Sequence, residues 1–260
     1  MKYIDKSSID AVAGLQLGDN TPFRFRCHSG LSCYNQCCRN LNLFLYPYDV
    51  IRLKKALKMT SDTFLDTYTD LVLRPSNHFP DVLLTMADNS ERTCPFLVSE
   101  GCSVYADRPG TCRMFPVEPG IYYDERSNAA RRLFFFRPPD FCLGQHEKQQ
   151  WQSRSWIKNQ NSHTHHQMAI EWSDLKRRFQ TDPWGSEGPN GRKSKMAFMA
   201  LYNTDRFREF VFNSSFLSRY RVPRSVLKQI RTKDRELLLF AFDWVKAFLW
   251  GIPSRKILLR

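Results

Sequence analysis

The chain has 260 residues, 42% of them apolar and 14% aromatic, which is enough for a buried core and excludes wholesale disorder. Its 39 Lys and Arg outnumber 26 Asp and Glu, a formal charge of +13, and the excess is uneven: residues 1–150 hold 18 basic and 17 acidic side chains, residues 151–260 hold 21 and 9. All eight cysteines lie between Cys27 and Cys142, so two regions are expected, a cysteine-cluster domain over 1–146 and a basic helical region over 147–260.

Residues 1–22 show little pattern and read as a surface-laid lead-in. Phe23 to Asn40 then packs four cysteines into twelve positions, with Ser, Gly and Asn residues suited to a loop that bends back on itself. Pro47 suits the first turn of a helix through Val50, Ile51, Leu53 and Leu57. Ser61 is expected to cap a second helix bearing Phe64, Leu65 and Tyr68 on one face. Strand-like runs follow at Asp81–Met86 and Arg131–Phe136. From Glu147 the character turns helical, with Trp151, Trp156, Met168, Ile170 and Trp172 marking one or two helices. Asp182–Lys195 reads as a flexible loop, Met196–Leu217 as helical, and Pro223 as the start of one long helix towards Trp250. The fold class expected is α+β, predominantly helical, with a few short strands in the cysteine domain.

No secretory signal pattern opens the sequence, so the thiols are expected in a reducing compartment, the cytoplasm. No run reaches the ~20 uninterrupted apolar residues of a membrane span. The nearest, Leu237 to Pro253, is broken by Asp243 and Lys246.

The cysteines carry the chemistry. The first group is Cys27-x5-Cys33-x3-Cys37-Cys38; the second comprises Cys94, Cys102, Cys112 and Cys142. Eight thiols in two local clusters are too many for buried small hydrophobes, and in a cytosolic chain they point to a metal site. Pairing of adjacent Cys37 and Cys38 would need a strained ring and an oxidising setting. Pro109 can open a short helix whose first turn holds Cys112, where backbone N–H groups, with help from Arg108 and Arg113, favour a thiolate. His28 is placed to support the first group from outside. His163, His165 and His166 are read as a solvated polar stretch, and Arg126, Arg131 and Arg132 as surface charge.

The run FRFRCHSGLSCYNQCC followed by CPFLVSEGCSVYADRPGTCRMFP resembles the YkgJ-type cysteine-cluster family, a zinc- or iron-chelating domain, over roughly residues 23–145. The family opening is C-x2-C-x2-CC, looser here. The resemblance implies metal binding through the matching cysteines, without a settled reaction.

The same thiols suit zinc as a structural staple or an iron–sulfur cluster with redox chemistry. The irregular spacings lack paired CxxC knuckles, which favours the cluster. Two other function classes are open. One is an enzyme: an iron–sulfur oxidoreductase, or a methyltransferase, since a flagellin lysine N-methylase resembles this family. No glycine-rich cofactor motif supports the latter. The other is a binding module, in which Arg219, Arg221, Arg224, Lys228, Arg231, Lys233 and Arg235 engage nucleic acid or a protein partner. No nucleic-acid motif accompanies that charge.

Overall fold

The computed structural model describes residues 2–74, 77–124, 126–127 and 129–259. Among them ten α-helices form: α1 (Pro47–Ala56), α2 (Ser61–Tyr68), α3 (Gly110–Met114), α4 (Ser153–Asn159), α5 (His163–Arg178), α6 (Arg192–Tyr202), α7 (Thr204–Asn213), α8 (Phe216–Arg219), α9 (Arg224–Thr232) and α10 (Asp234–Trp250). Short strands accompany them, and the class is α+β, predominantly helical. No helix among the described residues is long and apolar enough to cross a membrane.

The chain divides into two compact units, each assembled from two stretches: Met1–Leu43 with Thr85–Ser173, and Phe44–Leu84 with Asp174–Arg260. Both units therefore draw on sequence from each side of residues 146/147. The second carries 24 basic and 13 acidic residues, so most of the +13 belongs to it.

In the first unit a four-stranded sheet runs in the order Lys2–Tyr3, Val117–Tyr123, Ala130–Phe136, Leu15–Gln16. The two long strands form an antiparallel hairpin with Leu133 opposite Gly120. The expected lead-in is thus woven into the sheet at both edges. Ile4 and Leu17 are buried and supply the apolar contacts that hold it there. Beside the sheet, Leu17, Phe23, Phe25, Met114, Val117, Cys142 and Trp156 form a core cluster. The Trp156 indole N–H donates to Met114 O at 3.0 Å, satisfying the one polar group of a buried ring.

In the second unit α1 begins at Pro47, and the Asp49 carboxylate accepts the Tyr46 N–H at 2.9 Å. α2 is capped by Thr60, whose hydroxyl accepts the Thr63 N–H at 3.2 Å, one residue before the expected Ser61. Ser61 is drawn inward instead, donating through its hydroxyl to Asn203 and through its N–H to Asp205 at 2.8 and 2.7 Å. Lys54, only 6% exposed along its side chain, pairs with the same Asp205 at 2.8 Å. A three-stranded antiparallel sheet sets Asp81–Leu84 between Phe44–Leu45 and Thr69–Val72. Buried Asp81 there accepts from Arg74 and from Lys176.

Two expectations are revised in this unit. Residues 182–191 are irregular, as expected, but anchored, since Trp184 is fully buried, stacked near Phe179 at 5.6 Å, with its indole N–H on His78 O at 2.6 Å, and Arg192–Lys195 already belong to α6. The long helix from Pro223 is two helices, broken at Lys233, whose extended backbone (φ −111°, ψ 106°) lets α10 restart at Asp234 with Asp234 and Glu236 in its first turn. α10 keeps Leu237, Leu238, Phe240, Ala241, Trp244 and Val245 buried within its unit.

Candidate metal centre

All eight cysteines fall in the first unit. Phe23 and Phe25 are buried while Arg24 and Arg26 are exposed, the period-two pattern of a strand, and that strand delivers Cys27 to the surface. It is fixed from several directions. Phe23–Arg24 pairs with Gln150–Trp151, the Phe25 N–H donates to Gln149 O at 2.9 Å, and the Trp151 indole donates to Phe25 O at 2.8 Å. The Phe25 ring meets Trp156 edge-on, 5.6 Å between centroids. After Cys27 the chain winds through tight turns: Leu31 N–H to His28 O, Tyr34 N–H to Leu31 O, Gln36 N–H to Cys33 O and Cys38 N–H to Asn35 O, each 2.9–3.1 Å. Asn35 takes the left-handed conformation (φ 63°) that turns the chain into Gln36–Cys38.

The remaining cysteines are brought up by backbone pairing. Arg39 bridges Thr93, and the Cys94 N–H donates to Cys38 O at 2.8 Å. A turn closed by Leu97 N–H on Cys94 O leads into the hairpin Leu97–Val98 with Gly101–Cys102. Gly101 holds φ +128°, and a Cβ there would approach the Tyr34 hydroxyl at 3.2 Å. Pro109 opens α3, as expected, with Cys112 in its first turn. Cys142 precedes a turn through Gly144, which lies so close to the Cys27 strand that a Cβ would meet Arg26 O at 2.8 Å and the Phe25 ring at 2.9 Å.

One backbone N–H is aimed directly at a sulfur: Leu143 N–H donates to Cys33 Sγ at 3.2 Å. The amides of Phe96, Val104 and Gly144 offset part of the effect of burial on Cys94, Cys102 and Cys142. Such donors neutralise charge on a bound thiolate and tune a metal–sulfur centre. Against this, burial pushes the Cys27, Cys102 and Cys142 thiols up, and Cys94 up to about 11. Within the vicinal pair, the Cys37 S–H donates to Cys38 Sγ, raising Cys37 and lowering Cys38. All eight are thiols, with no disulfide among them. Among the described residues, no three His, Cys, Asp or Glu side chains converge on a single point in the way metal ligands do.

Residues 26–154 match the model of the CxxCxxCC family, described as a putative zinc- or iron-chelating domain. No curated protein and no solved structure matches the chain. The CxxCxxCC segment takes in every cysteine, though this chain opens it with Cys27-x5-Cys33-x3-Cys37-Cys38. The donor set fits the family's metals: clustered soft thiols with amide donors suit zinc or iron–sulfur ligation.

Other expected residues fall differently around the CxxCxxCC cysteines. His28 accepts the Gly30 N–H on Nδ1 at 3.2 Å and turns Nε2 towards Glu147 at 3.7 Å. Burial raises the Cys102 thiol, and the charge of Arg108 offsets a small part of that rise. The Arg108 guanidinium also holds Tyr105 O and Gln160, and Arg113 holds Ala106 O and Gln160 O, so both cations fix the backbone ahead of α3. The expectation of a solvated His stretch is corrected: His163 is exposed, but His165 and His166 are buried because α5 turns that face inward. Arg126, Arg131 and Arg132 are exposed, as expected. Sequence reasoning missed Gly144, Trp151 and Gln160. The Cys-Leu-Gly triplet was the available signal for the first, since a glycine two residues past a ligand often marks close backbone approach.

Proposed function

We propose that the chain is a metal protein whose cysteines hold an iron–sulfur cluster, with zinc as the alternative occupant. The observation that carries this is the gathering of eight thiols from separate stretches into one unit, with the Leu143 amide donating to Cys33 Sγ. The residues that would hold the group are Cys27, Cys33, Cys37, Cys38, Cys94, Cys102, Cys112 and Cys142. When bound, a cluster supplies one-electron chemistry; zinc supplies a fixed staple. The absence of paired CxxC knuckles favours the cluster. The chain's own part is to deprotonate, orient and shield the sulfurs: amides stabilise thiolate charge, and the Phe25–Trp156 core keeps the Cys27 strand in place. Because thiols raised by burial must lose protons to bind a cation, uptake releases protons and couples metal to folding. A reducing compartment such as the cytoplasm suits that thiol set.

The test is anaerobic purification followed by metal analysis and an absorption spectrum, on the wild type and on C37S, C38S, C94S and C112S singly. Visible charge-transfer bands with iron and sulfide in the wild type, and loss of metal with a lower melting temperature in the variants, are expected. Full metal and unchanged melting in all four variants would overturn the reading.

A further inference from the structure

The eight thiols are not one undivided group. The Leu143 N–H on Cys33 Sγ at 3.2 Å, and the Arg26 N–H on Gly144 O at 3.0 Å, set the Cys142 turn against the Cys27–Cys33 segment. A second set of contacts is separate from these. The Cys94 N–H sits on Cys38 O at 2.8 Å, the Leu97 N–H closes back on Cys94 O at 3.0 Å, and Leu97 lies opposite Cys102 in the hairpin. Gly144 allows the first approach and Gly101 the second, each at a point where a Cβ would crowd its neighbour.

We infer that the domain holds two distinct metal centres, one built on Cys27, Cys33 and Cys142 and the other on Cys38, Cys94 and Cys102, with Cys37 and Cys112 as the remaining sulfur donors. The inference rests on the metal-binding reading above. Closing each set on a cation takes side-chain rotation between staggered wells, on backbone that already runs together.

Cobalt(II) is the probe, since a tetrahedral thiolate site gives it a distinct visible spectrum and its uptake can be counted. Anaerobic titration of the reduced full chain is expected to saturate at two equivalents. The C33S/C142S and C94S/C102S double variants are expected to saturate at one each, keeping the spectrum of the remaining site. Saturation of the wild type at one equivalent overturns the two-centre inference while leaving the metal-binding reading intact. Loss of both ions from either double variant, with the far-ultraviolet circular dichroism of the wild type retained, overturns it as well. A wild type that takes up neither cobalt nor zinc removes the metal-binding reading itself. Should both double variants unfold, the wild-type stoichiometry alone decides.

Discussion

His166 sits in the first turn of α5 with both ring nitrogens buried and without a hydrogen-bond partner among the described residues, its ring 5.6 Å from Phe134. Burial, and then the charge of Arg132, push its pKa down to about 3 from 6.5. The unfolded chain therefore binds a proton here that the folded chain refuses. The stability associated with a neutral His166 is complete above about pH 6.5 and is lost progressively as pH falls towards 3. Asp174 and Asp205 are also lowered, and since their ordinary value is 3.8 they add to acid sensitivity only at the bottom of that window. Between about pH 7.5 and about pH 4.5 the His166 share is about 2.7 kcal/mol. H166F should shrink the loss of stability over that interval by this order, read from urea midpoints at the two pH values; an unchanged loss would mean that His166 takes up its proton in the folded state.

At the scale of elements, the clearest lesson comes from Trp184. Residues 182–195 contain Gly, Pro, Ser and Asn at the density of a loop, and the sequence reads as one. The segment stays irregular through residue 191, but one large aromatic anchors it, because burying it against Phe79 and Phe179 ties the chain down. W184A should cost about 3–5 kcal/mol of stability by urea denaturation and open residues 185–191 to proteolysis. A loss under about 1 kcal/mol would show that the segment is held by something else. Local signals of this kind explain what could be read in advance. Pro47, Pro109 and the apolar periodicity around Phe64 announce α1, α3 and α2, and the Cys spacing announces the site. The strand at Val117–Tyr123 was hidden because Pro119 and Gly120 interrupt it; its pairing with Ala130–Phe136 overrides them. The burial of His165 and His166 could not be read from the string HTHH, whose polarity outweighs the periodicity. Nor could the partition of the sulfurs, which depends on contacts such as Leu143 with Cys33, 110 positions apart.

For the whole molecule, the interleaving of the units matters most. The strand that presents Cys27 is completed by Gln150–Trp151 and packed by Trp156, all beyond residue 146. A fragment of residues 1–146 should therefore give no cooperative thermal transition and bind less than half the metal of the full chain. A fragment with full metal and a sharp transition would show that the cysteine segment carries its own scaffold. The same arrangement has a consequence for biosynthesis. During translation the thiols of Cys27 to Cys38 are made long before the two tryptophans that hold their strand. At ~5–20 residues per second, the 118 positions from Cys38 to Trp156 take roughly 6–24 s to emerge. Throughout that interval the nascent chain offers bare sulfur to whatever metal or oxidant it meets, so the order of residues along the polypeptide makes correct loading a late event, after about three-fifths of the 260 residues have been joined.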